Sequence, residues 1–230
     1  MIIPIGSIVN ALTVIIGSLI GVAFGKYVSE KTRITIFQVI GLFTLVLGFK
    51  MALATQQFLL LLICLVLGAI IGELLNIEQL FERVGSRIKK SLKSKNPLFT
   101  EGLITAFLIY CIGSMTFVGA IEEGINKDST LLFTKSLLDG ITSILLASTF
   151  GIGVLVSAIP LLLFQSVLTW GAIYFEPYLA PEIITELSAV GGVLIIAIAL
   201  NILHLKKIKV SNLLPALFLV IPLYLIAQVY

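Results

Sequence analysis

Long apolar runs separated by short polar segments dominate this sequence. Each run is close to the roughly 20 residues that an α-helix needs to cross the hydrocarbon core of a membrane. A transmembrane β-barrel would instead need segments of about ten residues that alternate in polarity. The pattern therefore predicts an all-α fold, a polytopic transmembrane helical bundle of about eight spans. The spans are expected near residues 6–25, 34–54, 58–76, 102–122, 133–149, 153–175, 187–204 and 212–229.

Residues 133–175 decide whether the number of spans is even or odd. They form one nearly continuous apolar stretch, too long for a single ordinary helix, interrupted only at residues 148–153. A glycine-containing turn there gives two spans. The alternative is a re-entrant segment or a helix broken within the bilayer, with Gly151, Gly153 and Pro160 as candidates for the break.

Composition supports a membrane protein, and the charge distribution predicts its orientation. Hydrophobic residues make up 59% of the chain and charged residues only 12%, against roughly 45–50% and 25% in soluble domains. Basic residues collect in segments 26–33, 83–95 and 206–209, whereas segments 54–57 and 176–186 contain none. Lys and Arg are retained in cytoplasmic loops. A multi-pass protein with both termini outside is therefore expected, and the small net charge of +3 gives no reason to expect nucleic acid as a partner.

Residues 77–95 differ from the rest of the predicted single membrane domain, which covers residues 1–230. Apolar residues recur there at steps of three and four, and basic side chains cover the opposite face. This pattern predicts an amphipathic, basic helix on the cytoplasmic surface, in contact with anionic membrane lipid. A regulatory or partner-binding role is the alternative.

Small residues in the first span indicate close helix packing. Gly17, Gly21 and Gly25 form two overlapping GxxxG units, which allow a neighbouring helix to approach closely. Two interpretations remain open. The neighbour is either another helix of the same chain or the same strip of a second copy, which would make the glycines a homodimer seam.

An inverted repeat is a further hypothesis about the arrangement of the spans. Residues 39–51 of the second span align with residues 190–202 of the seventh, so that spans 1–3 would correspond to spans 6–8. The offset of five spans is odd, and the two triplets would have opposite orientations in the membrane.

Polar residues inside the spans are the candidates for function, because each is costly to bury unless it is paired, hydrated or used. Asp139 is the strongest, with Lys135 four residues earlier on the same helix face. A structural salt bridge and a polar binding site are equally compatible with this pair. The other candidates for a substrate or ion path are Glu122, Glu123, Glu73, Asn10, Ser143, Gln165 and Asn201. A solvated helix end is the alternative for Glu122 and Glu123, and hydration or pairing with a basic loop is the alternative for Glu73.

The sequence lacks the motifs of several common kinds of enzymes and metal sites. It contains no GxxxxGK[ST] phosphate loop, no HExxH, and no Cys/His cluster with metal-ligand spacing. A nucleophile and base suited to an intramembrane hydrolase are also missing. We therefore expect no enzymatic activity, no cofactor and no metal.

Three blocks of sequence resemble a known family. They are residues 113–124 (GSMTFVGAIEEG), 135–140 (KSLLDG) and 147–160 (ASTFGIGVLVSAIP), supported by residues 6–12 and 212–216. They are similar to the YdfK/YqgA-like integral membrane proteins of bacteria, a family of unknown function. The resemblance implies a bacterial inner-membrane protein and supplies no substrate. From the residues, we expect a secondary transporter or permeation protein for a small polar solute or ion. The alternative is a non-transporting structural or sensory membrane protein.

Overall fold

The computed structural model describes residues 3–25, 27, 29–175 and 180–227. Secondary structure in this part of the chain is helical throughout. In chain order the α-helices are α1 (Ile5–Gly25), α2 (Glu30–Ala52), α3 (Phe58–Leu74), α4 (Ile77–Ser91), α5 (Phe99–Cys111), α6 (Ser114–Asn126), α7 (Thr130–Phe150), α8 (Ile152–Val156), α9 (Ala158–Phe175), α10 (Pro181–Ile202) and α11 (Pro215–Ala227). A short 3-10 helix, Val210–Leu213, precedes α11. Lys26 and residues 176–179, which belong to two of the loops used above to predict orientation, lie outside the described residues.

Six segments in the described part of the chain are long and apolar enough to cross a membrane, and two bent helix pairs bring the number to as many as eight. The all-α, polytopic prediction is therefore confirmed. Two such segments, Thr130–Phe150 and Ile152–Ala172, cover most of residues 133–175, so this region is long enough for two full crossings. The bent pairs are α3 with α4, at 59°, and α5 with α6, at 60°.

The chain divides into two compact units. The first unit comprises Met1–Phe37, Val84–Cys111 and Met115–Glu176, and the second comprises Gln38–Arg83, Ile112–Ser114 and Pro177–Tyr230. The first unit thus contains α1, α5, nearly all of α6, and α7 to α9. The second contains most of α2 together with α3, α10 and α11.

The glycine strip of α1 packs against α7 inside the first unit. Side chains added at Gly17, Gly21 and Gly25 would collide with backbone carbonyl oxygens of α7, at positions 140, 144 and 148 respectively. All three glycines are buried in this contact. Intrachain packing is therefore the correct interpretation of the GxxxG units, and the homodimer seam through these glycines is wrong, because α7 already occupies the strip.

The direction of this contact also bears on the span count. Residue numbers rise together along the two helices, so α1 and α7 run parallel. Two parallel crossings require an odd number of crossings between them. The condition is met when α2, α3 and the bent α5–α6 pair each cross once, which gives eight spans, and also when α2 alone crosses, which gives six. An odd total of seven, with only one of the bent pairs crossing, does not meet it.

The bent α5–α6 pair replaces the straight fourth span that the sequence suggested. The helix breaks at residues 112–113, and the Thr116 hydroxyl donates a 3.1 Å hydrogen bond to the carbonyl oxygen of Tyr110. That carbonyl lies at the end of α5, where the helix no longer supplies a donor. This hydrogen bond stabilises the break, because irregular backbone at membrane depth must find partners in the protein.

The three residues proposed as a helix break have more ordinary positions. Gly151 forms the turn between α7 and α8 at φ 74°, a left-handed conformation that favours glycine. Gly153 packs against the backbone of Phe99, where a side chain would not fit. Pro160 lies in the first turn of α9, where a missing N–H group is readily tolerated.

The second unit is built from antiparallel helix pairs. Gly68 and Gly72 of α3 pack against Ala216 and Asn212, at the start of α11 and in the 3-10 helix. Close contacts between α2 and α10 join position 41 to 203 and position 48 to 192 and 196. The inverted repeat between spans 1–3 and 6–8 is not confirmed by these contacts and stays a prediction.

Helix α4 has the amphipathic character that residues 77–95 predict. Leu80 and Val84, four residues apart, and Leu92, just after the helix, are each about half exposed. Gly85 is buried against Thr100. Its contact with anionic lipid and its cytoplasmic position stay predictions.

Candidate functional site

Six buried side chains form a hydrogen-bonded group in the first unit, which we call the polar cluster. Its members come from α1, α5, α7 and α9. They are Asn10, Tyr110, Lys135, Asp139, Ser143 and Gln165, each with less than a tenth of its surface exposed. Five of the nine predicted path residues are therefore brought together, and Tyr110 is an addition that the sequence analysis missed.

Asp139 is the centre of the polar cluster. Its Oδ2 atom accepts hydrogen bonds from the Lys135 amine and, at 2.9 Å, from Asn10 Nδ2. Lys135 and Asp139 lie one turn apart on α7, so the ion pair follows directly from their i,i+4 spacing. Both partners are buried in a membrane-spanning helix, where an uncompensated charge would cost several kcal/mol.

Hydroxyl groups extend the polar cluster along α7. Ser143 donates to the backbone carbonyl of Asp139 at 2.7 Å, one turn back. Its oxygen lies 2.7 Å from the Tyr110 hydroxyl. Since the hydrogen of Ser143 is already used, Tyr110 is the donor in this second bond. The next two buried residues of α7, Leu146 and Ala147, are apolar, so the polar cluster ends here.

Among the residues that the structure describes, two amide atoms of the polar cluster find no hydrogen-bond partner. Asn10 Nδ2 donates to Gln165 Oε1 at 3.2 Å, which leaves Asn10 Oδ1 and Gln165 Nε2 unused. Both side chains are fully buried. Buried polar atoms are nearly always paired in native structures. An unused acceptor and an unused donor on two joined amides are therefore suited to a ligand that both donates and accepts.

Glu123 lies apart from the polar cluster but in the same unit. It is only 2% exposed, so the solvated helix end that was one alternative for it is wrong. Its Oε1 atom accepts from the backbone N–H of Gly6 at 2.6 Å and from the Ser129 hydroxyl at 2.7 Å. Its Oε2 atom accepts from the Thr169 hydroxyl at 3.0 Å. These donors are all uncharged.

Glu123 and the polar cluster contact the same two helices at adjacent turns. Glu123 contacts Gly6 on α1 and Thr169 on α9. One turn away on the same helices lie Asn10 and Gln165, which belong to the polar cluster. Four residues of α-helix correspond to a rise of about 6 Å. The buried acids Glu123 and Asp139 thus follow one another along the α1–α9 contact.

Glu122 is in a different environment from its neighbour. It is half-buried and accepts a 2.7 Å hydrogen bond from Asn126 one turn later. In the adjacent loop, hydrogen bonds from Thr130 lower the pKa of Asp128. Glu122 is therefore a polar helix end and not part of the polar cluster.

The other predicted path residues lie in the second unit. Glu73 forms an exposed ion pair with Lys209 at 2.8 Å and also accepts from Asn212 at 2.6 Å. Pairing with Glu73 raises the pKa of Lys209. Asn201 holds a loop closed through two hydrogen bonds of 2.8 Å. Its Nδ2 donates to the carbonyl oxygen of Ile208, and its Oδ1 accepts from the N–H of Ile208. The partners of Glu73 are therefore those of a helix end, and the partners of Asn201 are those of a closed loop.

The second unit contains a buried acid that the sequence analysis placed in a loop. Glu186 is 3% exposed and accepts from the Thr55 hydroxyl and, at 2.8 Å, from the Gln56 backbone N–H. It thereby holds the segment that leads into α3. The signal was available, since Pro181 is typical of the first turn of a helix and indicates that α10 begins before residue 187.

Known proteins are similar to this chain over nearly its whole length. A family model described as "Protein of unknown function (DUF554)" matches residues 5–225. The chain is 36% identical over 220 residues to the uncharacterized membrane protein YdfK of Bacillus subtilis (strain 168), covering 93% of each. It is 31% identical over 224 residues to the uncharacterized protein YqgA of Escherichia coli (strain K12), covering 95% of each. No solved structure matches it significantly.

Proposed function

Because the chain belongs to the DUF554 family, whose function is unknown, we propose a function for this multi-pass membrane protein from its own geometry. The protein is a secondary transporter or permeation protein, and a small polar solute or ion binds at the polar cluster of the first unit. The observation that carries the proposal is the pair of unpartnered, fully buried amide atoms on Asn10 and Gln165, beside the Lys135–Asp139 ion pair.

Helix cohesion alone accounts poorly for these groups. A polar contact that only joins helices is most favourable when every donor and acceptor is used, because each unpaired buried group costs about 1–3 kcal/mol. The polar cluster instead keeps one donor and one acceptor unused. A bound solute would satisfy both, and the ion pair offers it groups of both signs. This supports a binding role over the structural or sensory alternative.

The proposal includes the setting of the protein. We place it in the inner membrane of a bacterium, in keeping with the organisms of its relatives. The basic segments 83–95 and 206–209 support an orientation with both termini outside. No catalytic step and no resident cofactor belong to this mechanism, in which binding and release of the solute are the whole cycle.

Ligand-induced stabilisation tests the proposal. A panel of amino acids, organic acids, sugars and inorganic ions is added to purified protein, and the thermal unfolding midpoint is measured. We expect at least one solute to raise the midpoint of the wild type. Gln165→Leu, which removes the unused donor, should fold and lose this gain.

Ser188→Ala is the matched control, because it removes an unpartnered buried hydroxyl from the second unit. It should keep the full ligand-induced gain. A solute that stabilises Gln165→Leu as strongly as the wild type would place the binding site elsewhere. A panel without any stabilising solute would favour the structural or sensory alternative.

A further inference from the structure

The buried charges of the first unit do not balance. Lys135 and Asp139 neutralise each other, whereas the donors that contact Glu123 are the uncharged groups of Gly6, Ser129 and Thr169. Helices α1 and α9, which supply two of those donors, contain no Asp, Glu, Lys or Arg. An ionised Glu123 therefore leaves one uncompensated negative charge buried inside the protein, at a cost of several kcal/mol.

In the described part of the chain, charged and titratable groups on the neighbouring elements do not remove this imbalance. Helix α6 itself carries only Glu122, a like charge, and the following loop carries Lys127 and Asp128, which are exposed. Helix α7 contributes Lys135, whose amine is bonded to Asp139. The titratable group of α9 is the exposed Tyr174. Neutralisation of an ionised Glu123 therefore requires one further positive charge.

We propose that the species supplying this charge is a proton, and that Glu123 binds and releases it in the transport cycle. The inference rests on the proposed function and names the coupling ion. Loading moves a proton from a hydronium ion of the aqueous phase to Oε2 of Glu123, which forms one O–H bond and leaves a water molecule. Release is the reverse step, with a water molecule as acceptor.

The hydrogen bonds around Glu123 accommodate this proton without displacement of any heavy atom. Gly6 N–H and the Ser129 hydroxyl both donate to Oε1, which remains an acceptor when the acid is neutral. Oε2 contacts only a hydroxyl, that of Thr169. A hydroxyl can reverse its role, accept from the new O–H group, and donate its own hydrogen to the carbonyl one turn back in α9.

The position of Glu123 allows its proton to influence the polar cluster. Gly6 and Asn10 are one turn apart on α1, and Thr169 and Gln165 are one turn apart on α9. Rotation of the Thr169 hydroxyl would send a new hydrogen bond to the backbone carbonyl of Gln165. Proton loading is thereby connected to the residue that carries the unused donor of the polar cluster.

Infrared difference spectroscopy of the purified full-length protein tests the proposal. Spectra at acidic and at neutral pH are subtracted, and carboxylic acid carbonyl bands are compared between variants. We expect Glu123→Gln to lose one band of the wild-type difference spectrum, while Glu122→Gln and Asp139→Asn retain that band. A Glu123→Gln spectrum identical to that of the wild type would overturn the proposal, because Glu123 would then be permanently ionised or permanently neutral.

Thr169→Val keeps the test decisive even when Glu123→Gln does not fold. The carboxyl group is retained and loses its Oε2 partner, so the same band should move to a different frequency. An unmoved band would show that the titrating group is not Glu123. Since no solute is added, this result is independent of the ligand panel. A negative result for proton binding by Glu123 can therefore be distinguished from a negative result for solute binding at the polar cluster.

Discussion

Gly21→Leu is expected to leave little correctly folded protein. The α1 and α7 backbones meet at this position, and even a Cβ atom would overlap the carbonyl oxygen of Ile144. Overpacking of a close contact costs about 1–3 kcal/mol for smaller insertions and more for a whole leucine side chain. The thermal unfolding midpoint in detergent, together with the yield of monodisperse protein, measures the effect.

Alanine variants provide the matched control for this effect. Gly21→Ala introduces the overlapping Cβ alone and should lower the midpoint. Gly113→Ala should not, because a Cβ at Gly113 meets nothing within 4 Å. A well-folded Gly21→Leu protein whose oligomeric state has changed would contradict the intrachain packing described here.

Lys135→Met is expected to destabilise the protein by about 3–5 kcal/mol, because it leaves the buried Asp139 without its cation. The same change at Lys209, whose ion pair with Glu73 is exposed, should have little effect. Thermal or denaturant unfolding of Lys135→Met and Lys209→Met, side by side, measures the difference that burial makes.

A double variant separates the cost of the lone charge from the value of the pair. Lys135→Met combined with Asp139→Leu removes both charges and should recover much of the stability lost in the single variant. Strictly additive losses would show that the two side chains do not interact, and this would refute the ion pair as the centre of the polar cluster.

The spans and the ion pair could be predicted from the sequence because both depend on local spacing. Apolar runs of membrane length predict helices wherever they occur, and the structure has such helices in the corresponding regions. Lys135 and Asp139 must share a helix face once α7 is a helix. The glycines at positions 17, 21 and 25 likewise indicate a close contact, although their spacing does not say which helix makes it.

The remaining features depend on contacts between distant parts of the chain. Glu122 and Glu123 are adjacent in sequence, yet only Glu123 is buried, because it meets Gly6 and Thr169 from two other helices. The break at residues 112–113 was also missed. Its stabilising Thr116–Tyr110 hydrogen bond gives no periodic signal in an apolar stretch.

These contacts change which residues deserve functional study. Asn10 and Gln165 are 155 positions apart, and each alone resembles a polar residue that joins two helices. Their pairing creates the unused donor and acceptor on which the proposed solute site depends. Glu73 and Asn201, which looked similar in the sequence, are instead used in an exposed ion pair and a loop clasp.

Access of water-soluble molecules to the polar cluster tests the central claim most directly. In a variant in which Cys64 and Cys111 are replaced by alanine, Ser143→Cys and Leu146→Cys are treated with a small, charged thiol reagent. Ser143 ends the polar cluster, and Leu146 lies in the apolar segment that follows it. Our account predicts that the cysteine at position 143 reacts and that the one at position 146 does not. Absence of reaction at both positions would contradict it, because the polar cluster would then be a dry helix contact.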